Sequence, residues 1–301
     1  MIFAARGIMV SLAFFAVLYS FLSVLLIALW SGFVPFTRLN LPSARTLFIL
    51  RVLPFTVSAG ITLFLTFPSF LLLETHTMDE DFGTFVLCLC ALVMVAAGWY
   101  RVMIAQRKTR RAMSQWLESS RINVASRNIL PILLVGIRAP KVMVSDSARV
   151  LLTDGELRVA LQHEMQHLNS YDNLKKAILN LIYFPGMASL DRAWQKAIEL
   201  DADRGAVTNR AEALDLASAL VKLSRCAPLP TAPVLATGLV GIAETVAVRV
   251  QRLLNWNTAD PVTPLRWRYI LPAACAAVIC LAVHIGSALV FAHSLTERLV
   301  P

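Results

Sequence analysis

Hydrophobic positions along this chain fall into two regimes: long unbroken runs toward both ends, and short periodic stretches between them. Gly7–Trp30 is an uncharged run of 24 residues, about 36 Å as a helix and enough to cross a bilayer. It exceeds the apolar core of a secretory signal and lacks a small-residue cleavage site, so it reads as a retained span. A second run, 47–73, is interrupted by Arg51, Pro54 and Pro68. Arg51 lies one turn from its start and is expected to snorkel to the interface, while the prolines predict kinks. A third run covers 84–105, with Trp99 and Tyr100 placed as interfacial anchors, and a fourth covers 269–292.

Between the third and fourth runs the period changes. Pro131–Ile137 and Lys141–Ser145 are short, β-branched and apolar around Arg138-Ala139-Pro140, a pattern of two strands and a turn. Thr153-Asp154-Gly155-Glu156 has the spacing of a capping box and predicts a helix through His167. Asn169–Asn173 reads as a break, and Asp172 as the cap of a helix to Phe184 that Pro185-Gly186 ends. Further helices are expected over 191–207, 211–225 and 242–256. Residues 226–238 contain three prolines and few charges and are expected to form a mobile, exposed loop that covers a cleft or is itself cleaved.

Composition agrees with this division. Of the 301 residues, 57% are hydrophobic and 16% charged, with a mean hydropathy of +0.65. Soluble domains carry about 25% charged residues, so the composition argues against a wholly cytosolic protein. The chain has 28 Lys+Arg against 19 Asp+Glu, a net charge of +9. Arg101 lies in the last turn of the third run, Arg107, Lys108, Arg110 and Arg111 follow it, and Arg266 and Arg268 precede the fourth. The connection between runs two and three holds Glu74, Asp79, Glu80 and Asp81 instead. The positive-inside rule then places 106–267 in the cytoplasm and both termini outside. That segment holds 21 Lys+Arg and 14 Asp+Glu, and its most basic stretch adjoins the lipid bilayer, so anionic headgroups are its expected partner. No basic–aromatic run or motif points to direct nucleic-acid binding. The five cysteines form no CxxC pair: Cys88, Cys90, Cys275 and Cys280 lie in apolar runs and Cys226 in the cytoplasmic segment, as small packing residues. The expected fold is mainly α. It comprises spans at 7–30, 47–73 and 84–105 within 1–105, an α+β domain over 106–267, and a fourth span with a short tail over 268–301.

One constellation carries chemistry. His163-Glu164-Met165-Gln166-His167 is an HExxH sequence on a predicted helix. The i,i+4 spacing puts both imidazoles on one face, where they can bind one metal ion. Glu164 projects beside them and can take a proton from water that the metal acidifies. By chance a chain this long shows HExxH about once in a hundred. A catalytic zinc also needs a third protein ligand, and Glu199-Leu200-Asp201-Ala202-Asp203 supplies candidates on another predicted helix. Glu199 and Asp203 share a face, so one can bind metal while the other orients a ligand histidine. His76, His284 and His293 have no metal-ligand neighbour at useful spacing.

VGIRAPKVMVS, LTDGELRVALQHEMQHLNSYDNL and IELDADRGAV resemble the integral-membrane gluzincins of the BlaR/MecR type, the sensor-transducer peptidases. The likeness is close over roughly residues 130–210, and the order of three spans, peptidase and fourth span extends it over nearly the whole chain. It implies a gluzincin-like domain on the cytoplasmic face of a bacterial inner membrane. It also implies one Zn²⁺ per chain, held by His163, His167 and Glu199, with Glu164 as general base and Asp203 as the acid behind the ligands. VAVRVQRLL resembles a segment where related enzymes keep an arginine near the site, which makes Arg249 a candidate oxyanion or structural partner. β-Lactam-sensing members carry a penicillin-binding domain after the last span. Here Ser294–Pro301 follow it, so sensing by that route is not expected.

Three functions compete. The first is a zinc endopeptidase that cleaves a protein substrate, a cytoplasmic regulator such as a transcriptional repressor, with an edge of the strand pair holding the extended peptide. The second is quality control of membrane proteins, as in the heat-shock-type membrane gluzincins. The third is a non-enzymatic receptor or scaffold with a vestigial site. A homo-oligomer is compatible with each.

Overall fold

The computed structural model describes residues 2–37, 42–73, 82–121, 132–136, 140–226, 236–237 and 243–256, with isolated positions between 290 and 298. The chain is mainly helical. Helix α1 (Ile2–Thr37) contains the first expected run. Helix α2 (Ala44–Ile61), a π-helical turn (Thr62–Thr66) and α3 (Phe67–Leu73) form the second, and α4 (Phe82–Arg121) contains the third. Ala5–Gly32, Ala44–Leu73 and Phe82–Arg111 are long and apolar enough to cross a membrane. The expected fourth run, 269–292, lies outside the described residues.

Three details of the spans differ from the sequence reading. The kinks expected at both prolines resolve differently, since Pro54 sits within an unbroken α2 and the π-helical turn lies ahead of Pro68. Helix α4 runs through the expected boundary at 105, because the Arg-, Lys- and Gln-rich stretch that follows favours helix and contains no Gly or Pro. Arg51 does not snorkel. It is fully buried and pairs with Asp191, its Nε 2.9 Å from Oδ1.

Past α4, β1 (Ile132–Val135) and β2 (Lys141–Val144) pair antiparallel, with Ile132 opposite Val144 and Val135 opposite Lys141. Gly136, at φ 109°, begins the turn in a conformation that favours glycine. A third strand, β3 (Ala236–Thr237), pairs with the other edge of β1, giving the order β2-β1-β3. These two residues belong to the stretch expected to be a loop; 227–235 lie outside the described residues.

The helices follow in close agreement with the periodicity. A short α5 (Asp146–Leu151), capped by the Ser145 hydroxyl, was not expected. Helix α6 (Asp154–Asn169) begins at the Thr153–Glu156 capping box, both of whose hydrogen bonds form. Tyr171, at φ 56°, turns the chain into α7 (Asp172–Leu181). That helix stops short of Phe184: the Ile182 carbonyl is taken by the Tyr19 hydroxyl at 2.7 Å and by Arg51 at 3.3 Å. Helices α8 (Ala188–Ala206), α9 (Arg210–Cys226) and α10 (Ala243–Leu254) complete the described elements.

Among the described residues, two larger apolar cores position the site. One joins β1, α6, α9 and α10 through Ile132, Val159, Leu216, Leu220 and Leu253. The other joins the spans to the α7–α8 hairpin: Trp30, Ala44 and Leu47 pack against Leu179, Leu190, Trp194 and Ile198. Phe184 and Met187, at the hairpin turn, reach Phe15 and Tyr19 in α1. The Leu181 carbonyl lies so near Gly98 of α4 that a Cβ there would collide with it. The hairpin is therefore wedged among the long helices, and α6 is carried on its other side.

Candidate metal centre

Helix α6 presents its buried face through Val159, Ala160, His163, Glu164 and His167, all with no exposed surface. One turn separates the histidines, so their rings meet edge to face with centroids 4.7 Å apart. Both Nε2 atoms point to one place, 3.1 Å from each other. Helix α8 brings Glu199 to the same place: Oε2 is 3.6 Å from His163 Nε2, and Oε1 is 3.8 Å from His167 Nε2. His163, His167 and Glu199 thus form a cluster that can hold a metal ion. The separations suit it, since ligand atoms about 2.0–2.1 Å from one tetrahedral ion lie roughly 3.3 Å apart.

The other ring nitrogens face carboxylates. His167 Nδ1 is 2.8 Å from Asp172 Oδ2, on the first residue of α7. His163 Nδ1 is 3.0 Å from Asp203 Oδ1, a close approach without hydrogen-bond alignment. Such carboxylates set which nitrogen carries the proton and leave Nε2 free to bind. Asn173, next to Asp172, donates through Nδ2 to the carbonyls of Leu134 and Gly136 at 3.3 and 3.0 Å. The end of β1 is thereby fixed beside the histidines.

Arg249 closes the cluster from α10. Val246, Arg249, Val250 and Leu253 share one face of that helix, and the apolar three join the core. The guanidinium, 1% exposed, bonds Asp203 through Nε to Oδ2 at 2.7 Å and through Nη2 to Oδ1 at 2.6 Å. Its Nη1 lies 3.0 Å from Glu199 Oε2 and its Nη2 3.5 Å from His163 Nε2. The sequence-derived residues His163, Glu164, His167, Glu199, Asp203 and Arg249 all converge. Asp172, expected as a helix cap and lying in a segment that carries the family resemblance, is instead the first residue of α7, with Tyr171 in the cap position; its place five residues after His167 is the available signal for a histidine partner.

Charges in this buried site are strongly coupled. Burial opposes ionisation of Glu199, but the Arg249 guanidinium and the two histidines outweigh it and hold the carboxyl far below its ordinary range. Asp203 is likewise depressed: burial is overcome by Arg249 and His163. Burial would lower His163, yet Asp203 and Glu199 raise it. Glu164 behaves in the opposite way. Its burial pushes the carboxyl up to about 8; the nearby Glu199 carboxylate adds to this, and Lys176 and Arg249 oppose it. Neither of its oxygens accepts a hydrogen bond among the described residues. The site therefore holds an ionised carboxylate on α8 beside two imidazoles, and a second carboxyl with open acceptor capacity. No protein-family model matches the chain, and no curated protein matches it significantly.

Proposed function

We propose that the protein is a membrane-embedded zinc endopeptidase, acting on peptide bonds of a cytoplasmic or membrane-proximal regulatory protein. One observation carries this reading. His163 Nε2, His167 Nε2 and Glu199 converge on a point beside the buried carboxyl of Glu164, which has no hydrogen-bond partner among the described residues. Two imidazoles and one carboxylate suit zinc and leave a fourth position for a reacting group. Bound there, zinc supplies a Lewis acid that polarises a peptide carbonyl and makes water a stronger acid.

The residues divide the remaining work. Glu164 accepts a proton from the attacking water through a carboxylate oxygen and returns it to the departing amide nitrogen. Glu164 would be favoured in its ionised, proton-accepting form, against the effect of its burial, when His163 and His167 hold a cation. Asp172 and Asp203 hold the two rings with Nε2 turned to the centre. Arg249 keeps Glu199 and Asp203 ionised and fixed. The resemblance to the BlaR/MecR type supports the wider setting: a bacterial inner membrane, four spans, a cytoplasmic gluzincin-like domain and a transcriptional repressor as substrate. The basic residues at the end of α4 support the same orientation.

The test is Glu164→Ala in the full chain, reconstituted in lipid. It should retain one zinc per chain and lose cleavage, and substrate trapped on it, identified by mass spectrometry, should be a regulator. Purified wild type without stoichiometric zinc, or Glu164→Ala that still cleaves, refutes the peptidase. A broad set of damaged membrane proteins in the trap would favour quality control instead.

A further inference from the structure

The hairpin between α7 and α8 is held by α2 at two levels, and Glu199 lies between them. At the lower level Arg51, fully buried, pairs with Asp191, with Nε 2.9 Å from Oδ1, and donates through Nη1 and Nη2 to the Ile182 carbonyl at 3.3 Å. Tyr19 of α1 donates to the same carbonyl at 2.7 Å. At the upper level the Ala44 backbone N–H, at the start of α2, donates to Asp201 Oδ2 at 3.0 Å. Arg51 and Ala44 are seven residues apart on α2, about 10 Å along a helix axis, and Asp191 and Asp201 are ten apart on α8, about 15 Å. The two helices run antiparallel between these ties, with Phe48 against Trp194, ring centroids 6.1 Å apart.

From this arrangement we infer that α2 is a strut: an axial shift or tilt of the second span is transmitted by Arg51–Asp191 and Ala44–Asp201 to α8, and so to the position of Glu199 relative to His163 and His167. The histidines stand on α6, outside the ties, while Glu199 and Asp203 stand on the tied helix. The Ile182 carbonyl that Arg51 grips also ends α7, whose first residue, Asp172, holds His167. The two carboxylates that face the histidines, Asp172 on α7 and Asp203 on α8, therefore both stand on helices that Arg51 ties. A charge inside a span is costly and is retained where it has a task. Arg51 and Asp191 are positioning residues in this scheme. The input is the fit between the second span and its bilayer, because mismatch tilts a helix at a fraction of a kcal/mol per Å. That the output is metal affinity rests on the metal-centre reading above.

The experiment places the full chain in vesicles of dimyristoleoyl, dioleoyl or dierucoyl phosphatidylcholine. Two quantities are followed: hydrogen exchange over 188–206 in the metal-free protein, and zinc affinity by competition with a chelator. In wild type, exchange in α8 should change with bilayer thickness and the zinc Kd should move by about fivefold. Asp191→Asn should keep zinc binding and lose both dependences; Asp201→Asn, which leaves the buried Arg51 paired, should weaken them. A purely structural ion pair would lower the Tm of Asp191→Asn yet leave the thickness dependence intact, and that result overturns the strut. Insensitivity of wild-type exchange and Kd to thickness also overturns it. If the protein binds no zinc while exchange in α8 still follows thickness and loses that response in Asp191→Asn, the metal reading fails and the strut stands.

Discussion

Arg249 joins two buried carboxylates and is the guanidinium that faces both of them. Removing one member of such a network leaves the rest desolvated and unpaired, at a cost of about 3–5 kcal/mol. Arg249→Ala should therefore destabilise the metal-free protein by that order, measured by chemical unfolding in detergent. Saturating zinc should narrow the gap to wild type, because the ion supplies positive charge to Glu199. An equal loss with and without zinc would show that Arg249 and the ion do not share that carboxylate. Of this residue-level detail, HExxH and the Glu199–Asp203 pair were readable from spacing alone, since helical periodicity decides which side chains share a face. Asp172 and Arg51 were misjudged. Each meets its partner across a chain turn or between distant helices, and period 3.6 says nothing about such pairings.

The capping box at the start of α6 shows how far an element can be read locally. Thr153 and Glu156 satisfy each other's backbone N–H groups, at 3.3 Å from Glu156 N to Thr153 Oγ1 and 2.9 Å from Thr153 N to Glu156 Oε2. Glu156 also accepts from Lys222 at 2.7 Å and lies 2.5 Å from the Ser218 hydroxyl on α9. Burial works against its charge, yet the bonds from Lys222, Ser218 and Thr153 hold the carboxyl below its ordinary value. A depressed carboxylate contributes stability above its unfolded pKa, and that contribution fades as pH falls through the folded value. Glu156→Gln should thus cost on the order of 2 kcal/mol near neutral pH, and the difference should shrink below about pH 4. Thermal unfolding of both proteins across this range is the measurement; a difference that grows on acidification would contradict the assignment. The sequence locates the start of this helix because the capping signal is local, while its end at Asn169 comes two residues beyond the expected His167. It missed β3, because a two-residue strand has no pattern of its own and exists only by pairing with Leu134 and Val135.

At the scale of the whole molecule, the boundary at residue 105 divides the chain by composition, while packing crosses it. Leu179, Ile182, Leu190, Trp194 and Ile198 bury themselves against Trp30, Ala44 and Leu47, and Phe184 and Met187 against Phe15 and Tyr19. A large apolar side chain contributes about 1.5–3 kcal/mol when buried, so this seam is comparable with the whole net stability of a domain. The α7–α8 hairpin has too little apolar surface in contact with the other core to replace it, and its turn would leave the Ile182 carbonyl and Asp191 without Tyr19 and Arg51. A fragment spanning residues 106–267 should therefore lack a folded hairpin. It should aggregate or elute as an expanded species that binds a hydrophobic dye, and Glu199 should not be held beside the histidines, so zinc affinity should fall at least tenfold relative to the full chain. Co-expression with residues 1–105 as a separate chain should restore both properties, since the seam needs contact and not covalent continuity. A soluble, monomeric fragment with full zinc affinity would mean that the spans merely anchor the domain. The architecture argues otherwise: the hairpin that carries Glu199, a candidate metal ligand, is completed by the helices that are apolar enough to cross the membrane.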